Sequence, residues 1–87
     1  MKVRPADAGD DEEMERLAAL TTELGYPASA AQVRRRLLGL DTASAAVWVA
    51  ELDGVVQGWL HAAEVRTVEA DPYGEIVGLV VGDGHRG

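Results

Sequence analysis

Two apolar runs joined by an Asp-Gly pair constrain the fold of this chain more than any other feature. The run Ala45–Leu52 leads into Asp53 and Gly54, and a second apolar run begins at Val55. Both central positions of a type I′ turn need positive φ, which an Asp-Gly pair supplies. The sequence therefore predicts an antiparallel hairpin. Because Ala45–Leu52 is apolar at nearly every position, we expect this strand to be covered on both faces.

The returning strand is long and is followed by a third strand. Val55 to Val68 is predicted to be extended, with Gly58 as a bulge or a point of close packing. A polar connector then leads to a third apolar strand, Tyr73 to Val81. Together the three strands form a predicted antiparallel meander.

A short strand and two helices are predicted before the meander. Lys2 to Arg4 form the strand, because Pro5 marks a boundary. Asp10 and Ser29 are each followed three residues later by Glu or Gln, the spacing of a capping box. Apolar or small residues then recur at helical spacing, at Met14, Leu17, Ala18, Thr21 and Leu24 in the first helix and at Ala30, Val33, Leu37 and Leu40 in the second.

Charges on the two helices have structural explanations. The acidic run from Asp10 to Glu13 lies where the helix dipole favours carboxylates, so we assign it to capping and solvation rather than to a metal. Arg34, Arg35 and Arg36 spread over about 200° of a helix, and we expect most of this set to face solvent. The fold class is therefore α+β or mixed α/β, with residues 1–87 forming one domain.

The composition excludes several classes of function. A net charge of −7 opposes binding to nucleic acid and tolerates a cationic amine. The chain has no cysteine, and its two histidines lack metal-type spacing, so no metal site is expected. No apolar stretch approaches the ~20 residues of a membrane span, and no signal-peptide core is present, so we expect a cytoplasmic protein without membrane contact.

The third strand runs into a glycine-rich turn, with Gly82, Gly84 and Gly87 around His85 and Arg86. Glycines at such a turn let backbone N–H groups approach a phosphate closely. Many strand-to-helix turns are rich in glycine for geometric reasons alone, so local chemistry leaves both interpretations open.

The order of elements and several local phrases resemble the GNAT superfamily of acyl-CoA-dependent N-acyltransferases. The phrases are Val3 to Ala6, Glu23 to Pro27, Val49 to Gly58 and Glu75 to Gly87. The family signature is a strand followed by Arg or Gln, two variable residues, Gly, one residue, and Gly or Ala; Arg86 matches its first position and Gly87 the next. The resemblance implies the N-terminal half of a GNAT fold, ending at the start of the pyrophosphate-binding loop.

By resemblance, this fold moves an acetyl group from acetyl-CoA to a primary amine by direct attack. The backbone of Leu79, Val80 and Val81 would hydrogen-bond the pantetheine arm while their side chains lie in the core. Arg86 and Gly87 would begin the loop around the pyrophosphate. The amine would attack near the bulged middle of the strand, where a backbone N–H stabilises the developing oxyanion by ~3 kcal/mol.

An alkylammonium must lose a proton before it can attack, so a base is needed. Glu75 is the candidate, because it opens the third apolar strand where some GNAT members have a glutamate base. Simple alternation predicts that Glu75 shares a face with Val77, Leu79 and Val81. A solvated edge residue is the alternative role for this glutamate.

The two histidines, the two tryptophans and Tyr73 are predicted to have structural roles. His61 and His85 are predicted to be bystanders, although His61 could lie near an acceptor site and His85 could contact a phosphate. Trp48, Trp59 and Tyr73 are predicted to be core or sheet-face residues, with the lining of an acceptor pocket as the alternative for Trp59 and Tyr73.

Departures from the family pattern suggest limits on activity. Gly82 and Gly84 lie in a turn that a proline commonly stiffens, so cofactor affinity is expected to be reduced. The resemblance assigns the cofactor-supporting helix, the second cleft strand and the thiolate-protonating tyrosine to a part beyond Gly87, so we expect the 87-residue chain alone to be inactive.

An open edge on the third apolar strand would favour a homodimer, and a non-catalytic dimerising module is the alternative function. The acceptor, whether a small molecule or a peptide amine, stays open.

Overall fold

A computed structural model describes residues 1–82 of the chain. Its elements in order are β1 (Lys2–Pro5), α1 (Asp11–Glu23), α2 (Ala30–Leu38), β2 (Ala45–Leu52), β3 (Val55–Val65) and β4 (Tyr73–Val81). The α+β class and the order of the elements are confirmed. The second long strand ends at Val65 rather than at Val68.

The four strands form one antiparallel sheet in the order β1-β2-β3-β4, so β1 extends the predicted meander at the β2 edge. The β2–β3 turn has positive φ at both central residues, 52° at Asp53 and 80° at Gly54. These values are those of the predicted hairpin turn, which the right-handed twist of the flanking strands favours.

A bulge in β3 lies beside Gly58. Ala50 of β2 is opposite Gly58, and Glu51 is opposite Val56, so Gln57 has no opposite residue. Gly58 itself lies so close to β4 that a Cβ atom there would be 2.7 Å from the carbonyl oxygen of Val80. Of the two roles predicted for Gly58, close packing is confirmed, whereas the bulge lies at its neighbour Gln57.

The core lies between α1 and one face of the sheet, which we call the helix face. Its buried side chains are Met14, Leu17 and Leu20 from α1 and Val49, Val56 and Val80 from the sheet. Fully burying each such side chain contributes about 1.5–3 kcal/mol. The apolar side of α2 adds Ala30, Val33 and Leu37, which are partly buried against the core, as their spacing predicted.

The opposite face of the sheet, which we call the bare face, is apolar and is not covered by either helix of residues 1–82. Trp48, Leu60 and Leu79 form one row across it, because they are paired in register. Trp48 is 37% exposed, Leu79 is 56% exposed and Ile76 is 61% exposed. Within the described residues, both helices lie on the helix face. The prediction that β2 is covered on both faces is therefore wrong, and so is the prediction that Leu79 is buried in the core.

Two charged residues of the helices make contacts within the fold that were not predicted. Glu13 is only 3% exposed, and its Oε1 lies 2.5 Å from Arg4 Nη2. Its Oε2 accepts the backbone N–H of Asp7, so this acid joins β1 to α1 instead of being solvated. Arg34 is also not simply solvated, since its Nε donates to the carbonyl oxygen of Ala8 and its guanidinium pairs with Asp11.

Substituting Gly58 by alanine tests the close approach of β3 and β4. A Cβ atom cannot lie 2.7 Å from a backbone oxygen, so one strand must shift. We expect Gly58→Ala to lower the free energy of unfolding by about 1–3 kcal/mol, measured by urea denaturation. Gly74→Ala in β4 is the matched control, because no heavy atom lies within 4 Å of its added Cβ. Equal unfolding midpoints for the two variants would contradict the described packing.

Candidate functional site

A second bulge interrupts β4 near its middle. Gly78 is opposite His61 and Ile76 is opposite Ala62, so Val77 has no opposite residue. Such bulges redirect side chains and occur frequently beside active sites. The bulge at Val77 is therefore a candidate position for a functional site on the sheet.

The β4 bulge changes the face on which Glu75 lies. Glu75 is opposite Ala63, and its register puts it on the helix face together with Gly78 and Val80. Leu79 lies on the bare face, opposite Leu60. The predicted common face of Glu75 and Leu79 is therefore wrong, because the extra residue inverts the alternation between them. Glu75 itself is exposed.

A cavity of about 180 Å³ lies on the helix face, between the two helices and the sheet. Its walls include Leu17 and Thr21 of α1, Val33 and Leu37 of α2, and Trp59 and His61 of β3. The cavity is open on one side, and its walls are mainly apolar. Apolar pockets with a few placed polar groups are typical of small-molecule sites.

Trp59 is held in the cavity wall by a hydrogen bond, and its ring occupies space left by a glycine. Its indole Nε1 donates to Thr21 Oγ1 at 3.2 Å, and that hydroxyl donates to the carbonyl oxygen of Leu17 at 2.8 Å. A Cβ atom at Gly78 would lie 2.7 Å from the indole ring, so glycine leaves the space that the ring fills. Trp59 is thus packed against the core, as predicted, and also lines this cavity. Trp48 and Tyr73, by contrast, are exposed residues of the sheet and not core.

His61, a residue of the cavity wall, has a buried ring nitrogen without a hydrogen-bond partner. Its Nε2 is buried and has no hydrogen-bond partner among residues 1–82. A buried polar atom without a partner costs roughly 1–3 kcal/mol, and such atoms call for an explanation. Sequence reasoning treated this histidine as a bystander. The missed signal is that His61 is the one titratable side chain in the apolar segment from Val55 to Ala63.

A cluster of charges at the other end of α1 is satisfied internally. Arg4 Nη2 lies 2.5 Å from Glu13 Oε1 and 3.1 Å from Glu51 Oε1. Hydrogen bonds to Glu13 and then to Glu51 raise the pKa of the Arg4 guanidinium above its ordinary value. Arg16 Nε donates to the carbonyl oxygen of Val56 at 2.7 Å. We therefore assign this cluster to the joining of β1, α1 and the sheet.

The residues expected to hold the cofactor lie on β4 and beyond it. Within residues 1–82, β4 pairs only with β3 and forms one edge of the sheet. Val80 is buried in the core, as expected, whereas Leu79 is exposed on the bare face. The N–H of Gly82 donates to the carbonyl oxygen of Gln57 at 2.7 Å, so it anchors the end of the strand.

Three predicted residues lie outside the described part of the chain, namely His85, Arg86 and Gly87. Neither helix of residues 1–82 is long and apolar enough to cross a membrane. In the same residues, no three His, Asp or Glu side chains are grouped as metal ligands would be.

Two helices packed on one face of a bulged antiparallel sheet define an α+β fold that solved structures share. A GNAT family acetyltransferase from Staphylococcus aureus is similar over 98% of this chain and 64% of its own length, with a TM-score of 0.81 and 19% identity. An aminoglycoside antibiotic 6′-N-acetyltransferase from Acinetobacter haemolyticus is similar over 99% and 60%, with a TM-score of 0.69 and 25% identity. A ribosomal-protein-alanine N-acetyltransferase from Brucella melitensis is similar over 100% and 61%, with a TM-score of 0.69 and 16% identity.

These similarities establish the fold. The chain has the fold of GNAT acetyltransferases, as the resemblance in the sequence implied, and it spans 60–64% of the length of these three solved chains. That coverage agrees with the N-terminal part of the fold. No protein-family model and no curated protein sequence matches the chain.

Proposed function

We propose that this chain forms part of an N-acetyltransferase that moves an acetyl group from acetyl-CoA to a primary amine by direct attack. The observation that carries the proposal is the bulge at Val77 in the edge strand β4, with Glu75 and His61 near it on the helix face. The acetyltransferase names of three structures with the same fold support it.

Strand β4 is suited to hold an extended cofactor arm. It lies at the edge of the sheet within residues 1–82, and an edge strand can hydrogen-bond an extended ligand as an added strand does. Leu79, Val80 and Val81 would make these backbone contacts, and Arg86 with Gly87 would begin the pyrophosphate loop. Since the chain carries a net charge of −7, an anionic cofactor depends on such local backbone donors. A strand N–H directed at the thioester carbonyl would stabilise the charge that develops there.

Glu75 is suited to take the proton of the amine. It is exposed on the helix face, two register positions along β3 from the His61–Gly78 pair, a separation of about 7 Å. The carboxylate would accept a proton from the ammonium directly or through water, and the amine nitrogen would then bond to the acetyl carbon as the thiolate departs. Base and cofactor would thus act from the two sides of the β4 bulge.

Glu75→Gln tests the assignment of the base in the longest natural chain that contains residues 1–87. The amide cannot accept the proton, so we expect kcat/KM to fall by roughly 10²–10⁴-fold and the acidic limb of the pH–rate profile to disappear. Glu69→Gln, in the exposed connector before β4, is the control and is expected to keep full activity. A Glu75→Gln enzyme with an unchanged pH–rate profile would rule out this role.

A non-catalytic module that dimerises through its sheet is the second candidate function. The observation in its favour is the bare face, where Trp48, Ile76 and Leu79 are each more than a third exposed. Apolar sheet surfaces and open edges favour pairing with another chain. A second copy of the chain that pairs along β4 would extend the sheet and cover part of this surface.

The purified 87-residue chain tests two expectations, its inactivity and its dimerisation. We expect no acetyl-CoA turnover, because the resemblance assigns the second wall of the cofactor cleft to residues beyond these 87. We also expect light scattering at micromolar concentration to give the mass of a dimer. Turnover by the 87-residue chain would contradict the first expectation, and a stable monomer would exclude the dimer.

A further inference from the structure

The cavity on the helix face has the size of a small ring. Its volume is about 180 Å³. An apolar cavity of ~150 Å³ in another protein accommodates benzene, so this one is large enough for a phenyl group. It is too small for most of a drug-sized ligand, whose pockets begin at about 300 Å³. The cavity therefore suits a small molecule with a single ring.

Arg36 brings a permanent positive charge to the wall of this cavity. It lies three residues after Val33 and one residue before Leu37, and all three line the cavity from α2. Residues three and four apart share one side of a helix, so Arg36 belongs to the apolar side of α2. Its neighbour Arg35 is exposed and is not part of the wall.

The guanidinium of Arg36 is available to a ligand. Arg4 and Arg34 pair with acidic side chains, and Arg16 donates to a carbonyl oxygen. Among residues 1–82, no hydrogen bond or ion pair engages Arg36, which is exposed. An arginine stem packs along apolar surface while its charged end stays in water. The Arg36 stem in the wall and the exposure of the residue therefore place its guanidinium at the open side of the cavity.

The other polar groups of the wall are used or enclosed. The Trp59 indole donates to Thr21, and the Thr21 hydroxyl donates to the carbonyl oxygen of Leu17. The unpaired Nε2 of His61 is buried, so it is not offered to a molecule in the cavity. Within residues 1–82, neither Asp nor Glu lines the cavity. The wall thus offers an apolar space for a ring and a cation at its opening.

We propose that this cavity binds a small monocarboxylate that carries a phenyl-sized apolar group. The ring lies against Leu17, Leu37 and Trp59, and the carboxylate pairs with the guanidinium of Arg36 at the open side. A guanidinium donates two parallel N–H bonds to one carboxylate, and such charge-assisted pairs are stronger than neutral hydrogen bonds. The site does not depend on the proposed acetyl transfer.

Both the ring and the sign of the charge determine which molecules fit. An ammonium group in place of the carboxylate is repelled by Arg36, and an acid without a ring leaves the apolar walls uncovered. The net charge of −7 opposes anions at long range, but physiological salt screens exposed charges beyond about 8 Å. A carboxylate in contact with Arg36 is therefore little affected by distant acidic residues.

Titration with phenylacetate, toluene, benzylamine and propionate tests the proposal in the longest natural chain that contains residues 1–87. Binding is followed at pH 7 by the indole N–H signal of Trp59 in NMR spectra, without acetyl-CoA. We expect saturable shifts with phenylacetate. Benzylamine has the same ring and the opposite charge, and propionate has the charge without the ring. Each is expected to bind at least about tenfold more weakly than phenylacetate.

Two neighbouring arginines provide the matched control. Arg36→Met keeps an apolar stem and removes the charge, so phenylacetate binding is expected to weaken by about three- to tenfold, as for a partly hydrated ion pair. Arg35→Met removes the same charge outside the wall and should leave binding unchanged. Toluene binding should persist in Arg36→Met and so show that the cavity is intact. Leu37→Trp is expected to fill the cavity and abolish binding of both ring compounds.

Three results would overturn the proposal. They are the absence of saturable phenylacetate binding, equal phenylacetate affinity in Arg35→Met and Arg36→Met, and phenylacetate binding that persists in Leu37→Trp. Because acetyl-CoA takes no part in these titrations, their failure would leave the proposed acetyl transfer standing. Loss of that function would in turn leave the carboxylate site standing.

Discussion

The packing of α1 across the middle of the sheet is the contact on which the rest of the structure depends. Met14 and Leu20 are fully buried against Val49 and Val80, which belong to different strands. This contact determines which face of the sheet is covered, and it places Thr21 where its hydroxyl accepts the indole N–H of Trp59. The ion pair of Glu13 with Arg4 joins β1 to the same helix. One helix thus organises the core and one wall of the candidate site.

The bulge at Val77 relates this fold to the proposed chemistry. On one side of the bulge, Glu75 lies on the helix face, where the cavity and His61 are also found. On the other side, Leu79 lies on the bare face at the edge of the sheet. An amine that approaches from the helix face would therefore meet a cofactor held along the edge of β4. The extra residue in one strand separates the proposed acceptor and donor sides.

Local chemistry explains what the sequence could predict and what it could not. The Asp53-Gly54 turn and the caps at Asp10 and Ser29 are short-range signals, so the hairpin and the helix starts were predictable. The β4 bulge was not predictable, because Ile76 and Val77 are both apolar, and an apolar side chain can lie on either face of this sheet. Burial of Glu13 depends on Arg4, which reaches it only after β1 joins the sheet. The place of His61 in a cavity wall likewise depends on α1 and α2, which are distant from it in the sequence.

Hydrogen exchange of backbone amides, with and without saturating acetyl-CoA, tests most directly whether β4 holds a cofactor. The protein to measure is the longest natural chain that contains residues 1–87. A pantetheine arm paired with β4 predicts slower exchange at those amides of Leu79 to Val81 that point away from β3, while the amides of β1 at the opposite edge of the sheet remain unchanged. Exchange at Leu79 to Val81 that acetyl-CoA leaves unaltered at saturation would contradict the assignment of β4 as the cofactor strand, and with it the proposed acetyltransferase.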